Sequence, residues 1–278
     1  MRILVLGATG YVGTKLIDHI ICGNEVYCAV RSTSDIRNIR KAGAEIVPVE
    51  SLNGLPSSLD VFVNLSCKYM GNSKCSNDIV ESNLCVPLRV LSKCVDIGVR
   101  KVVTIGTGLP DNFNEYTYSK KMFSDYGRWL THGRTELSFY NVKLETYYGP
   151  DEPAGRFIPS VIGKLKTGKP VKLTEGTQKR DIIHIDDVVC NLKRMILDID
   201  ELGYHDIPLG TGDSPTIREI IDYLKGACGS HSDLMYGAVP MRPGEPNSVA
   251  DIEQMRKYGI EAKINWKDGL KSICEAKL

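Results

Sequence analysis

The sequence has no apolar stretch close to the ~20 residues that a membrane-spanning helix needs. Its first apolar run, Ile3 to Leu6, is too short for the core of a signal peptide and leads directly into glycines. We therefore expect no membrane partner and a cytoplasmic location. Internal repeats and low-complexity segments are also lacking, so 278 residues favour one large domain or two closely associated ones.

The sequence is also poor in features that bind nucleic acid or metal. The net charge is +1 and the charged fraction is 25%, so neither nucleic acid nor an anionic surface is expected as a partner. The nine cysteines include no C-x-x-C pair and no His/Cys cluster at zinc spacing, and an odd number cannot all pair. We expect reduced thiols and no metal site.

The first feature that the sequence does have is a strand, a glycine turn and a helix in succession. The run Ile3 to Leu6 predicts a buried strand, and the segment from Leu16 to Ile20 carries the apolar face of the helix. Glycines in such a turn let the backbone approach a pyrophosphate at a helix N-terminus. The pattern predicts a dinucleotide site, against the alternative of an ordinary tight turn without a ligand. Its expected members are Gly7, Thr9, Gly10, Tyr11, Val12 and Gly13.

The second strand indicates which dinucleotide binds. The segment Glu25 to Val30 is followed by Arg31 and Ser32 and not by an acidic residue. An Asp or Glu there would bind the adenosine ribose 2′-hydroxyl, whereas an arginine suits a 2′-phosphate. We therefore predict NADP(H) over NAD(H), held by Arg31 and Ser32, with Arg37 as a further candidate. The alternative is that these are solvated loop residues.

A tyrosine and a lysine lie close together near the start of the helix that follows the fifth strand. Val102 to Ile105 predicts that strand, and Tyr116 and Lys120 share one face of a helix from Glu115 onward. The ammonium can stabilise a phenolate and lower the tyrosine pKa from ~10, which permits proton transfer at neutral pH. Thr107 adds a hydroxyl to the same pocket. The alternative is a partly exposed ring beside a solvated lysine.

The residues at and after the end of the fourth strand are candidates by position. Ligands bind at the carboxyl ends of the strands in open α/β sheets. The candidates at this edge are Leu65, Ser66, Cys67, Lys68, Tyr69 and Met70. We assign Leu65 and Ser66 to the cofactor and Tyr69 to the substrate.

Asn83 is a polar residue on the apolar face of a helix predicted from Ile79 to Cys94. Such an amide either faces a buried polar partner or is a satisfied interior group with no functional role. We place Asn83 among the cofactor-binding candidates.

The motifs follow one another in a fixed order along nearly the whole chain. They are GATGYVG at 7–13, Asn83, Thr107, YTYSK at 116–120, YGP at 148–150, QKRD at 178–181, Asp186 and Asp187, GTG at 210–212 and RPGE at 242–245. This ordered set resembles the extended short-chain dehydrogenases/reductases of the NAD-dependent epimerase/dehydratase type, whose members act on nucleotide-activated sugars.

The resemblance implies a shared redox site. Tyr116 would be the general acid or base on a sugar oxygen, and Lys120 would hold the nicotinamide ribose. Thr107 stands where the family usually has serine, and its hydroxyl can take the same role.

On the substrate side, the resemblance implies that Arg180 and Arg242 bind the diphosphate of a sugar nucleotide, with Glu245 and Thr146 as further contacts. Two guanidinium groups suit a pyrophosphate because each can make bidentate hydrogen bonds. Thr146 stands where relatives often have a substrate-contacting asparagine. The alternative for each arginine is a salt bridge with Asp181 or Glu245.

Departures from the family pattern narrow the expected reaction. Family dehydratases and decarboxylases carry an acidic residue where this sequence has Gly108 and Leu109. What remains is reduction of a ketone or epimerisation at one carbon. The arginine after the second strand favours NADPH, which leaves after each turnover, and so favours net reduction over epimerisation. The short loop between Thr107 and Tyr116 resembles that of the small reductases that complete dideoxysugars. We therefore expect an NADPH-dependent reductase of a nucleotide-linked 4-keto-(di)deoxyhexose. The alternatives are an NAD-dependent sugar-nucleotide 4-epimerase and a non-catalytic NADP-binding sensor.

The expected fold is an α/β Rossmann-type doubly wound parallel sheet with a smaller C-terminal substrate-binding region. The predicted dinucleotide domain covers residues 1–145 and is rejoined by 182–203, and the sugar-nucleotide region covers 146–278. Family members commonly dimerise through the helices that include Asn83 and Tyr116, which implies a homodimer by analogy.

Overall fold

The computed structural model describes residues 1–69 and 76–276, so the predicted lining residue Met70 lies outside the described residues. The chain forms two compact units: Met1–Lys143 with Val189–Ile207, and Leu144–Val188 with Pro208–Leu278. The strands are β1 (Arg2–Leu6), β2 (Glu25–Val30), β3 (Glu45–Pro48), β4 (Val61–Asn64), β5 (Lys101–Ile105), β6 (Ser138–Leu144), β7 (Thr146–Tyr148), β8 (Val171–Lys172), β9 (Ile182–His184), β10 (Gly203–Leu209) and β11 (Leu234–Met235). The helices are α1 (Tyr11–Ile20), α2 (Arg37–Ala42), α3 (Ser76–Val80), α4 (Val86–Asp96), α5 (Glu115–His132), α6 (Phe157–Lys166), α7 (Ile185–Leu197), α8 (Ile217–Ala227), α9 (Ile252–Lys257) and α10 (Trp266–Glu275).

The main sheet has the strand order β3-β2-β1-β4-β5-β6-β10 among the residues that the structure describes. β1 pairs in parallel with both β2 and β4, and the pairs β2–β3, β4–β5 and β5–β6 are parallel as well. The strand order therefore reverses at β1 and β4, which is the switch point where ligands bind in doubly wound sheets. The structure confirms the predicted Rossmann-type fold class.

The strands of the first unit carry mostly buried apolar residues, as expected for a sheet whose two faces are both covered. Leu4, Phe62 and Val102 have no solvent exposure, and they lie in three neighbouring strands. Helix α5 packs onto this core through Phe123, whose ring centroid is 6.0 Å from that of Phe139 on β6. This packing fixes the helix that carries the predicted tyrosine and lysine.

The predicted single helix from Ile79 to Cys94 is interrupted in the structure. Helix α3 passes into a π-helical segment, Glu81–Cys85, and then into α4. The wider π turn surrounds Asn83, whose side chain is fully buried. Periodicity alone did not predict this interruption, because the apolar residues continue on both sides of the π segment.

The second unit is built around two short parallel strand pairs, β7–β9 and β8–β11. Its core includes Tyr148, Ile182, Ile220 and Leu270, which are all at most 1% exposed. Strand β9 pairs with β7 within the second unit, and the first unit resumes at Val189.

The membrane question can be tested on helix length and hydropathy. None of the helices within residues 1–69 and 76–276 is both long enough and apolar enough to cross a bilayer.

Candidate active site

The glycine turn after β1 is held by contacts that only glycine permits. Gly7 has φ of +85°, and a Cβ there would lie 2.6 Å from the carbonyl carbon of Leu65. A Cβ on Gly13 would lie 2.4 Å from the carbonyl oxygen of Gly7. Gly10 is exposed, and a Cβ there would meet one atom within 4 Å, the carbonyl oxygen of Gly7 at 3.3 Å. The turn is therefore closed on its inner side and open at the start of α1, as a pyrophosphate cradle requires.

The other predicted members of this turn flank it, with Thr9 and Tyr11 half-buried and Val12 buried. Arg31 and Ser32 are both exposed directly after β2. Arg37 is paired with Asp35, whose carboxylate accepts its Nε–H at 3.0 Å. This guanidinium holds the pKa of the Asp35 carboxyl at about 2, well below its usual value. Asp35 thus engages the Arg37 guanidinium, whereas Arg31 is exposed directly after β2.

Helix α5 begins immediately before Tyr116 because of a capping box. The Asn114 side chain accepts the backbone N–H of Thr117 at 3.0 Å, and the Thr117 hydroxyl accepts the backbone N–H of Asn114 at 3.1 Å. These bonds satisfy two donors at the helix terminus and fix where the helix starts. Tyr116 consequently lies in the first turn, with Lys120 one turn later.

Lys120 is buried and directed at the end of β4. Its Nζ donates a hydrogen bond of 2.6 Å to the backbone carbonyl of Ser66, and the residue is 4% exposed. Burial lowers the pKa of the Lys120 ammonium, and Cys67 opposes this shift. A buried cation of this kind gains free energy from any negative charge that develops beside it.

Tyr116 and Thr107 present the other two predicted catalytic groups. Tyr116 is half-buried, and its ring centroid lies 5.1 Å from that of Tyr69. Thr107 is buried, and its Oγ1 accepts the backbone N–H of Leu109 at 3.2 Å. Because this oxygen acts as an acceptor in that bond, the hydroxyl hydrogen is still able to be donated to a ligand.

Asn83 uses its amide within the protein. Its Oδ1 accepts the backbone N–H of Lys68 at 2.7 Å, and its Nδ2 donates to the Lys68 carbonyl and to Ser119 Oγ, each at 3.1 Å. Ser119 in turn donates to the carbonyl of Tyr116 at 2.8 Å. Both amide N–H donors are thereby engaged, and Asn83 links the segment after β4 to helix α5. The sequence did not indicate that Ser119 takes part in this link.

In the second unit, the structure brings Arg180 and Glu245 together. The guanidinium contacts the Glu245 carboxylate and the Pro246 carbonyl, and its Nη1 donates to the Lys179 carbonyl at 2.8 Å. Burial lowers the pKa of Arg180, and the Glu245 charge opposes this shift. The salt bridge weighed from the sequence is therefore present and largely buried.

The remaining predicted substrate residues, Arg242 and Thr146, are exposed in the second unit. Between these positions in the sequence lies Asp181, which has no solvent exposure. Its carboxylate accepts hydrogen bonds from the backbone N–H groups of Thr211, Gly212 and Ala250 at 2.8 to 3.0 Å. Beside it, burial raises the pKa of the Glu145 carboxyl to about 7. The QKRD motif thus includes a buried structural carboxylate.

The strand order and the glycine turn after β1 define the class of Rossmann-type α/β proteins. Comparison with known proteins extends this assignment. Residues 3–210 match the model of the NAD dependent epimerase/dehydratase family. The chain belongs to this family and is an NAD(P)-dependent oxidoreductase.

Individual relatives span the chain from end to end. The CDP-abequose synthase of Salmonella muenchen is 27% identical over 286 residues, which cover 99% of this chain and 98% of that protein. The UDP-glucose 4-epimerase of Thermotoga maritima, solved with UDP-glucose, superimposes with a TM-score of 0.86 at 21% identity, over 99% of this chain and 98% of that one. The UDP-glucose 4-epimerase of Thermus thermophilus, solved with NAD, gives 0.80 at 20% identity over the same shares. At these identities the two structures establish the shared fold.

Proposed function

We propose that the protein is an NADPH-dependent reductase of a nucleotide-linked 4-keto-(di)deoxyhexose, with a CDP-4-keto-3,6-dideoxyhexose as its substrate. The full-length similarity to a CDP-abequose synthase carries this proposal, because that relative covers 99% of the chain and its name specifies a CDP-linked sugar. The buried Lys120, one turn after Tyr116, supports it as a redox site. The first unit would bind the dinucleotide, and the second would bind the sugar nucleotide.

The residues of the first unit fit a dinucleotide. The turn after β1 carries glycines where larger side chains would obstruct a pyrophosphate. When bound, the nicotinamide supplies the hydride for the carbonyl carbon. Tyr116 gives its phenolic proton to the carbonyl oxygen, and the Thr107 hydroxyl donates a hydrogen bond to the same oxygen. Lys120 binds the ribose hydroxyls and stabilises the phenolate that remains on Tyr116.

The direct test follows NADPH absorbance with a panel of nucleotide-linked 4-keto-6-deoxy and 4-keto-3,6-dideoxy sugars. Stoichiometric oxidation with the CDP-linked dideoxy sugar is expected, and little oxidation with NADH. NADPH oxidation with a sugar linked to another nucleotide would support the reductase assignment and change the proposed nucleotide specificity. No oxidation, together with NAD released from the denatured protein, would identify an epimerase.

Arg31 gives a prediction on cofactor preference. Replacing Arg31 with alanine should raise KM for NADPH about tenfold and leave KM for NADH nearly unchanged, since only NADPH carries the 2′-phosphate. Arg37→Ala is the matched control, because Asp35 already neutralises that guanidinium. The two Michaelis constants are measured for each variant. A parent enzyme that prefers NADH would refute the assignment.

Arg242 gives a prediction on the substrate side. Arg242→Ala should raise KM for the sugar nucleotide at least about tenfold and leave KM for NADPH unchanged, because one charge-assisted contact to the diphosphate is lost. Arg256→Ala is a suitable control, since Arg256 is an exposed arginine of the same unit that pairs with Glu253. Equal changes in both Michaelis constants would count against a role in substrate binding.

The homodimer is also a proposal, and α5 offers a surface for it. Four of its exposed large side chains follow one face, namely Tyr118, Met122, Tyr126 and Trp129, at 54%, 41%, 38% and 64% exposure. Trp129→Glu should convert a dimer into a monomer in sedimentation velocity, because a charge in an apolar interface is costly. Leu202→Glu, at another exposed apolar residue, should leave the dimer intact. A parent chain that sediments as a monomer would overturn this proposal.

A further inference from the structure

Asn64 is a buried polar residue at the end of β4 that the proposed chemistry does not yet use. It is 1% exposed and lies opposite Thr104 in the register between β4 and β5. Its Nδ2 donates to Thr104 Oγ1 at 3.1 Å. Its Oδ1 accepts from the backbone N–H of Ser66 at 3.1 Å and from Ser66 Oγ at 2.6 Å. The backbone N–H can only donate, so the amide oxygen must face Ser66, and the orientation of Asn64 is determined.

Ser66 is consequently held from two sides. The amide of Asn64 fixes its backbone nitrogen and its hydroxyl. Gly7 lies against its other side, since a Cβ on Gly7 would come within 2.7 Å of the Ser66 nitrogen. The glycine turn and the buried amide therefore determine together where the Ser66 carbonyl points.

That carbonyl is the acceptor for the Lys120 ammonium, at 2.6 Å. A lysine side chain has four rotatable bonds and a point charge, so its position depends on what receives its hydrogen bonds. An unbroken series of hydrogen bonds thus runs from Thr104 through Asn64 and Ser66 to Lys120. Cys67 is a further titratable group close to this ammonium.

We propose that Asn64 is a positioning residue: by fixing Ser66, it holds the Lys120 ammonium where it binds the dinucleotide ribose and supports the Tyr116 phenolate. This inference rests on the proposed function for Lys120. Asn64 touches neither the substrate nor the cofactor in this role. Without its acceptor oxygen, Ser66 loses two hydrogen bonds, and Lys120 keeps its charge but loses its fixed direction.

The test uses the near-isosteric change Asn64→Leu in the full chain. NADPH affinity, measured by nucleotide fluorescence, should weaken about tenfold, and kcat should fall by at least the same factor. In Asn64→Asp, the NADPH affinity and kcat should both stay within about threefold of the parent. The carboxylate still accepts from Ser66, and the Thr104 hydroxyl can turn to donate to it. If Asn64→Leu does not fold, Asn64→Ala replaces it, with the same expectation.

Asn141→Leu is the matched control. Asn141 is 2% exposed on the neighbouring strand β6, and its Nδ2 donates to Asp206 Oδ1 at 2.7 Å. The change removes one buried hydrogen bond of an asparagine in the same sheet but leaves Ser66 held, so the NADPH dissociation constant should stay within about twofold of the parent. Equal weakening in both leucine variants, or no recovery with Asn64→Asp, would reduce Asn64 to a structural residue.

The dissociation constant separates this inference from the proposed reaction. If the parent chain binds NADPH but reduces none of the sugars, the reaction is wrong, while the comparison of dissociation constants still decides the role of Asn64. Parent affinity in Asn64→Leu would overturn the inference even in an active reductase.

Discussion

Replacing Tyr116 with phenylalanine should abolish turnover and leave the dinucleotide bound. The substitution removes one oxygen from a half-buried ring and keeps the contact with the Tyr69 ring. Without the phenolic proton, the carbonyl oxygen has no acid at the moment when the hydride arrives. General acid catalysis contributes ~10² to 10⁴ to a rate, so kcat should fall by about a thousandfold.

The measurement pairs kcat, from NADPH absorbance, with the dissociation constant for NADPH, from fluorescence. Tyr118→Phe is the matched control, because Tyr118 lies two positions further along α5 and is 54% exposed. It should retain the parent rate. If Tyr116→Phe kept a tenth or more of the parent kcat, another group would have to be the acid. If it lost NADPH binding instead, Tyr116 would be a binding residue.

Local sequence patterns predict the parts of the fold that local physics determines. The second strand has the predicted bounds, Glu25–Val30, because an unbroken apolar run is buried on both faces. The start of α5 at Glu115 also agrees, and the capping pair Asn114 and Thr117 explains it. The glycines after β1 were recognisable because the turn needs them at fixed positions.

The hydrogen-bond partners of the site could not be predicted in the same way. Asn64 lies 40 residues from Thr104, and Lys120 lies 54 residues from Ser66. No periodicity connects such residues, since the sheet and not the local sequence brings them together. An asparagine at the end of a strand that otherwise reads as fully buried is a signal, but it names no partner. Asn83 shows the same limit, because the partners of its amide, Lys68 and Ser119, come from two other segments.

The sequence likewise left the partner of Arg180 in the second unit undecided. Both a diphosphate and a carboxylate suit Arg180 by chemistry, and Glu245 lies 65 residues away. The structure shows the carboxylate contact, so a diphosphate at Arg180 would have to share the guanidinium with Glu245. Arg242 is exposed, so a substitution there tests diphosphate binding more directly than a substitution of Arg180.

Asp181 gives the largest expected effect on stability. Asp181→Ala should lower the free energy of unfolding by roughly 3 kcal/mol, because the backbone N–H groups of Thr211, Gly212 and Ala250 lose their common acceptor. Thr211 Oγ1, which donates to the same carboxylate at 2.7 Å, loses it too. Relief of the cost of burying a carboxylate offsets part of this loss, which is why the estimate is below the sum of the separate bonds.

Urea unfolding followed by circular dichroism measures this loss, with each transition fitted separately if the two units unfold apart. Asp251→Ala is the control within the same unit. Asp251 is exposed and caps α9 through one bond to the Gln254 N–H at 3.0 Å, so its loss should cost about 1 kcal/mol. Equal losses in the two variants would mean that water replaces the Asp181 carboxylate. A much larger loss for Asp181→Ala would establish that this motif aspartate holds together the segments around Thr211 and Ala250, which are far apart in the sequence.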